Sequence, residues 1–195
     1  MGALTLLVLI VLASVIGFSS PQLLQKALLR PYQIARGSGY FGLLSSGFVH
    51  ADITHLVFNL ITFYSFGFPL ERVIGTFRFL LLYFAGLLIS GLGTTFKHRD
   101  EPEYASLGAS GAILAVLFAA IVYFPRARLV MFPVPIPIPG PLFALLYLAY
   151  SLYSARQPRG RINHDAHFFG ALTGIAFVAL TDPQRLAQLI STFFG

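Results

Sequence analysis

Cysteine is missing from this 195-residue chain, so composition alone excludes disulfides, thiolate metal sites and a cysteine nucleophile. Charge is scarce as well. Thirteen Lys and Arg and seven Asp and Glu make up only 10% of the residues, well below what a soluble globular domain carries. The net charge of +6 is spread between apolar runs, without the clustering or aromatic interleaving of a nucleic-acid face, so no nucleic-acid partner is expected. What fills the chain is apolar: 56% of residues are hydrophobic and the mean hydropathy is +0.78. This is the make-up of an integral, multi-pass membrane protein whose constant partner is the lipid bilayer, and the expected fold class is all-α.

A hydrocarbon core about 30 Å thick needs roughly 20 apolar residues in helix, fewer where flanking groups reach for the surface. Six stretches fit, near 3–18, 53–70, 77–95, 105–124, 141–154 and 166–181, which predicts a six-transmembrane-helix bundle in a single domain, 1–195. No basic residue precedes the first stretch and no small-x-small site follows it, so it reads as a span rather than a secretory signal. Residues 19–49 form the longest connection. Within it Leu23, Leu24, Ala27 and Leu28 share one helical face while Gln22, Gln25, Lys26 and Arg30 lie elsewhere, which predicts a short helix lying in the headgroup region. Residues 97–103 form a polar turn. Pro133, Pro135, Pro137, Pro139 and Pro141 alternate with apolar residues, which predicts an extended linker, since each proline fixes φ and removes a donor. Residues 156–161, with Pro158 and Gly160, form the last loop.

Helices that cross a membrane alternate in direction, so the starts of spans two, four and six share one side of the bilayer. His50, His55 and Asn59 stand at the start of span two, Ser110 at span four, and His164, Asp165 and His167 at span six. A hydroxyl and imidazoles at membrane depth must find partners or a water-filled cavity, and that makes them functional candidates. Small residues flank both principal candidates: Gly108, Ala109, Gly111 and Ala112 beside Ser110, and Gly170, Ala171 and Gly174 after His167. Such faces let membrane helices approach closely, so spans four and six can bring the serine oxygen and the imidazole together. Serine needs an adjacent base to become a nucleophile, and a neutral His167 can take its proton. The oxyanion formed on attack needs fixed donors; His55 and Asn59, one turn apart on one face, suit that task together with the Ser110 N–H. Asp165 points roughly 200° away from His167 on a helix, so a Ser-His dyad is expected rather than a triad.

Other readings of the same residues stand beside these. Ser110 can be a helix-packing serine, Asn59 can join helices by hydrogen bonding, and His164 can be the base, although the glycine spacing favours His167. His50, His55, His164, His167 and Asp165 could surround zinc, but residues 50–55 lack the i, i+4 histidines and adjacent glutamate of a metalloprotease helix. No metal is expected.

Three motifs, His50-x4-His55-x3-Asn59, Gly108-x-Ser110-Gly111 and Ala166-His167-x2-Gly170-x3-Gly174, open the even-numbered spans in order. In these the chain resembles the rhomboid family of intramembrane serine proteases, over about residues 40–182. The resemblance implies a six-helix fold with no cofactor, Ser110 as nucleophile, His167 as general base, and His55 and Asn59 as oxyanion donors. It implies a structural His50, helix-end anchors at Glu71, Arg72 and Gly75, single-span membrane proteins as substrates, and a bacterial inner membrane as location. Two positions depart from the family pattern. Phe41-Gly42 stands where many members carry Trp-Arg, and Leu114 replaces a tyrosine that packs on the imidazole in some members. The alternative function is a non-catalytic rhomboid-like factor that binds membrane clients, although such members usually lack the serine or the histidine. A transporter would need buried polar groups at the midplane, of which spans three and five carry few. With the serine side outward, Lys26, Arg30, Arg36, Lys97, Arg99, Arg156, Arg159 and Arg161 lie outside against Arg72, Arg78, Arg126, Arg128 and Arg185 inside, opposite to the positive-inside bias.

Overall fold

The protein is described by a computed structural model covering residues 1–131, 134–157 and 162–194. Pro133 of the proline series, and Pro158, Arg159, Gly160 and Arg161 of the last loop, lie outside the described residues. Helix α1 (Gly2–Ser19) is followed by three short helices, α2 (Pro21–Ala27), α3 (Pro31–Ile34) and α4 (Gly42–Ser45). Then come α5 (Ile53–Ile74), α6 (Thr76–His98) and α7 (Ser110–Tyr123), a hairpin of β1 (Arg128–Met131) and β2 (Val134–Pro139), and finally α8 (Gly140–Ser154), α9 (His164–Thr181) and α10 (Pro183–Phe194). Among the described residues, α1, α5 and α6 are both long enough and apolar enough to cross a bilayer. This is a helical membrane protein.

Helix α7 explains the architecture. It has only 14 residues, yet every residue from Gly111 to Val122 is buried, and it packs against α5, α6, α8, α9 and α10. A helix that is apolar all round belongs in the interior, and here the other helices stand between α7 and the surroundings. Its start differs from the expected span at 105. Leu29 and Ser106 exchange backbone hydrogen bonds (2.9 and 3.0 Å), and the Gly108 N–H donates to Ser46 O at 2.8 Å. These loop contacts satisfy the backbone before the helix can begin, so residues 105–109 are not helical and Ser110 is the first helical residue.

Capping residues fix the other helix starts at this end. The Asp52 carboxylate accepts the His55 N–H at 2.8 Å and opens α5. The Asn163 side chain accepts the Ala166 N–H at 3.0 Å and opens α9, while its amide donates to Thr94 Oγ1 on α6 at 3.1 Å. A side-chain cap of this kind stabilises by about 1 kcal/mol. At the opposite end Glu71, in the last turn of α5, accepts the N–H groups of Gly2 (2.6 Å) and Ala3 (3.0 Å), a carboxylate at the N-terminus of α1. Gly75 then turns the chain into α6 with φ of 80°, a conformation that only glycine adopts without strain.

The proline-rich segment is paired rather than a free linker. Leu129 opposes Ile138 and Val130 opposes Pro137 in an antiparallel hairpin, a β element that the all-α expectation did not contain. Alternation explains how prolines are tolerated: Pro135, Pro137 and Pro139 leave their missing donors along one edge, while Ile136 and Ile138 keep theirs.

Candidate active site

The starts of α5, α7 and α9 meet. Ser110 Oγ lies 2.8 Å from His167 Nε2, His55 lies against Gly108, and His50 reaches Ala109. The closeness of α7 and α9 has a direct cause. A Cβ on Gly170 would collide with the backbone carbonyl of Gly111, and one on Gly174 with the carbonyl of Ala115. Glycines therefore let the two backbones touch, and a serine and a histidine on the facing turns come within hydrogen-bond reach. Gly111 itself faces Ser90 Oγ of α6, which leaves no room there for a side chain either.

Gly108 is required twice over. Its φ is 121°, outside the range of ordinary L-residues, and a Cβ would sit 2.7 Å from His55 Cε1. The His55 ring thus covers the backbone two residues before Ser110. It meets the His50 ring edge-on at a centroid distance of 4.9 Å.

His50 is fully buried and sits in a directional chain of hydrogen bonds. The Ala109 N–H donates to its Nε2 at 3.4 Å, its Nδ1 is 2.9 Å from Ser14 Oγ, and Ser14 Oγ donates to Phe48 O at 3.1 Å. All three bonds are satisfied together only by a neutral ring protonated on Nδ1. Burial, and then the neighbouring His55, hold the imidazole in that state by lowering its pKa from 6.5 to about 3, against an opposing pull from Asp52. His50 thereby ties α1 to the residue immediately before Ser110.

Asn59 is buried, and its Nδ2 donates to the His55 carbonyl at 2.9 Å on its own helix. One N–H of that amide remains for another acceptor. Ser110 is the first residue of α7, so its backbone N–H belongs to the helical turn that has no intrahelical acceptor.

Asp165 does not approach the imidazole of His167. Its carboxylate bonds Lys97 Nζ at 2.7 Å and His98 Nε2 at 2.9 Å, and His98 Nδ1 lies 3.1 Å from Glu101 Oε1. This network ties the end of α6 to the start of α9. Of the donors considered for zinc, His50, Asp165 and His167 each hydrogen-bond to a different set of partners. His164 lies edge-on to Tyr150 and to His167. Among the described residues its Nδ1 has no hydrogen-bond partner, and it is His167 that faces the serine.

The second nitrogen of His167 meets a residue that the sequence did not single out: Tyr147 of α8, whose hydroxyl is 2.9 Å from Nδ1. A tyrosine in an apolar helix reads as one more packing or interfacial aromatic, so no local signal marks it. Lys97 and His98 carry no signal either: the sequence places both in the polar turn 97–103, whereas α6 runs on through them and His98 is buried.

A sequence model of the rhomboid domain matches residues 37–183. The chain belongs to the rhomboid family. It is 30% identical over 155 residues to the putative rhomboid protease YdcA of Bacillus subtilis, covering 78% of this chain and 73% of that protein. It is 26% identical over 187 residues to the rhomboid protease AarA of Providencia stuartii, covering 83% of this chain and 64% of that one. A mitochondrial relative, RHOMBOID-like protein 12 of Arabidopsis thaliana, is 31% identical over 144 residues, 66% of this chain. Those residues make up 43% of that relative, so this rhomboid spans less than half of its length.

Proposed function

We propose that this rhomboid is an intramembrane serine endopeptidase that hydrolyses peptide bonds in or beside the transmembrane segments of single-span membrane proteins. The observation that carries the reading is the 2.8 Å separation between Ser110 Oγ and His167 Nε2 across the α7–α9 contact. Ser110 Oγ attacks the scissile carbonyl while its proton passes to His167 Nε2, and the resulting oxyanion accepts hydrogen bonds from the Ser110 N–H, His55 and Asn59. Collapse breaks the C–N bond as His167 returns the proton to the leaving amine. Water, deprotonated by the same ring, then releases the acyl group and restores the serine.

In this reading α1, α5, α6, α7, α8 and α9 are six membrane-embedded helices, and the protein resides in a bacterial inner membrane. Supports for it are the all-round burial of α7 and the bacterial relatives named as proteases.

The purified protein in detergent should cleave a single-span substrate and react with a serine-directed fluorophosphonate. Ser110→Ala and His167→Ala should abolish cleavage with expression intact. Full activity in Ser110→Ala overturns the nucleophile assignment, and an inert wild type favours a client-binding role.

A further inference from the structure

Among the described residues no carboxylate is bonded to the base in this site, Asp165 being bound to Lys97 and His98, and the position one turn after the serine holds Leu114 rather than an aromatic. Its Nδ1 is nevertheless not bare. Tyr147 lies in the same apolar cluster as Leu114, Phe118 and Phe143, and its ring stacks on Phe143 at 5.4 Å with an interplanar angle of 28°. It runs at the same 28° to the His167 ring, with centroids 6.3 Å apart, and its hydroxyl is 2.9 Å from Nδ1. A leucine on α7 and a tyrosine on α8 thus share one cluster beside the imidazole.

For Nε2 to accept the Ser110 proton, it must hold a lone pair, so the single hydrogen of the neutral ring must be on Nδ1. Away from water that N–H needs an acceptor, and the Tyr147 oxygen is the acceptor within reach.

We propose that Tyr147 is the positioning residue for the base: its hydroxyl oxygen accepts the Nδ1–H of His167 and holds the ring in the tautomer that can deprotonate Ser110. This deepens the protease reading above and rests on it. Being uncharged, the phenol fixes tautomer and ring plane without supplying a counter-ion to the imidazolium.

The test pairs a spectroscopic with a kinetic readout. With 15N-histidine in detergent micelles, long-range 1H–15N spectra of the wild type should show His167 protonated on Nδ1. Tyr147→Phe, which keeps the ring and removes the acceptor, should give a mixture of both tautomers. Its kcat should fall roughly tenfold, the effect of losing one neutral hydrogen bond, with KM within twofold and a small drop in the melting temperature in detergent. Tyr147→Leu, which also removes the stacked ring, should show the same tautomer mixture and a larger loss of kcat. Retention of the Nδ1–H tautomer in both variants overturns the proposal, as does wild-type kcat in both. If the wild type itself neither cleaves substrate nor labels with fluorophosphonate, the protease reading falls, while the tautomer spectra still decide whether Tyr147 holds the ring.

Discussion

Gly170 of α9 sits directly against the backbone carbonyl of Gly111 on α7, with no space for a methyl group between them. Because the obstacle is backbone, it cannot rotate aside as a side chain could, so any larger residue must push the helices apart. Ser110 and His167 lie on the adjoining turns, and their 2.8 Å contact depends on this seam. Gly170→Val should therefore destabilise by about 1–3 kcal/mol, typical of overpacking, and should abolish cleavage. Thermal unfolding in detergent together with a cleavage assay checks this; a variant as stable and active as wild type would show that the seam is not needed.

Gly108→Ala places a Cβ at a φ of 121° and 2.7 Å from His55. The backbone strain alone is worth about 1–3 kcal/mol, and relief by peptide rotation would move the Ser110 N–H. Turnover should fall far more than thermal stability. Equal, small losses in both would mean that the loop adapts without disturbing the site.

His55→Ala and Asn59→Ala should each reduce kcat, by about 10²-fold or more where a direct oxyanion donor is lost, with KM little changed. Asn59 already donates to the His55 carbonyl, so the two effects should be less than additive. Wild-type turnover in both single variants on a slow substrate would remove them from the oxyanion site.

His50 makes stability sensitive to acid. Its imidazole titrates near 6.5 when unfolded and near 3 in the fold, so between those values the unfolded chain binds the additional proton. The contribution is present in full above about pH 6.5 and is lost as pH falls toward 3. Melting temperature in detergent should decline from pH 6.5 to 5, and His50→Gln should flatten that decline while lowering stability at pH 7.5. An unchanged slope in His50→Gln would assign the acid sensitivity to other histidines.

The Asn163 cap acts on two helices, accepting from Ala166 and donating to Thr94. Asn163→Ala should destabilise by about 1–2 kcal/mol, and Asn163→Asp, which keeps the acceptor alone, by less. Chemical or thermal unfolding in the same detergent separates the two. Identical losses would show that the cap is not what matters.

Much of the helical layout is legible in the sequence because long apolar runs can satisfy their backbones in lipid only as helices. The meeting of three helix starts is legible too, since parity puts them on one side and glycines mark where backbones touch. Exceptions are instructive. Hydropathy continues through 105–109, so the sequence places a span start there, while the structure follows backbone pairing to Leu29 and Ser46 and α7 begins at Ser110. The proline segment reads as extended but not as paired, because its partner strand carries no distinguishing local pattern.

By itself the sequence determined that this is a membrane protein with a hydroxyl and imidazoles at neighbouring helix ends, because composition and spacing are local properties read along one chain. Only the tertiary structure decided which groups those side chains meet. Tyr147 rather than a carboxylate faces His167, Asp165 turns to Lys97 and His98, and Asn163 joins α9 to α6. The reason is rotational: helices in lipid share the same apolar character on nearly every face, so it is the close glycine contacts between them that set which side chains look inward at each other.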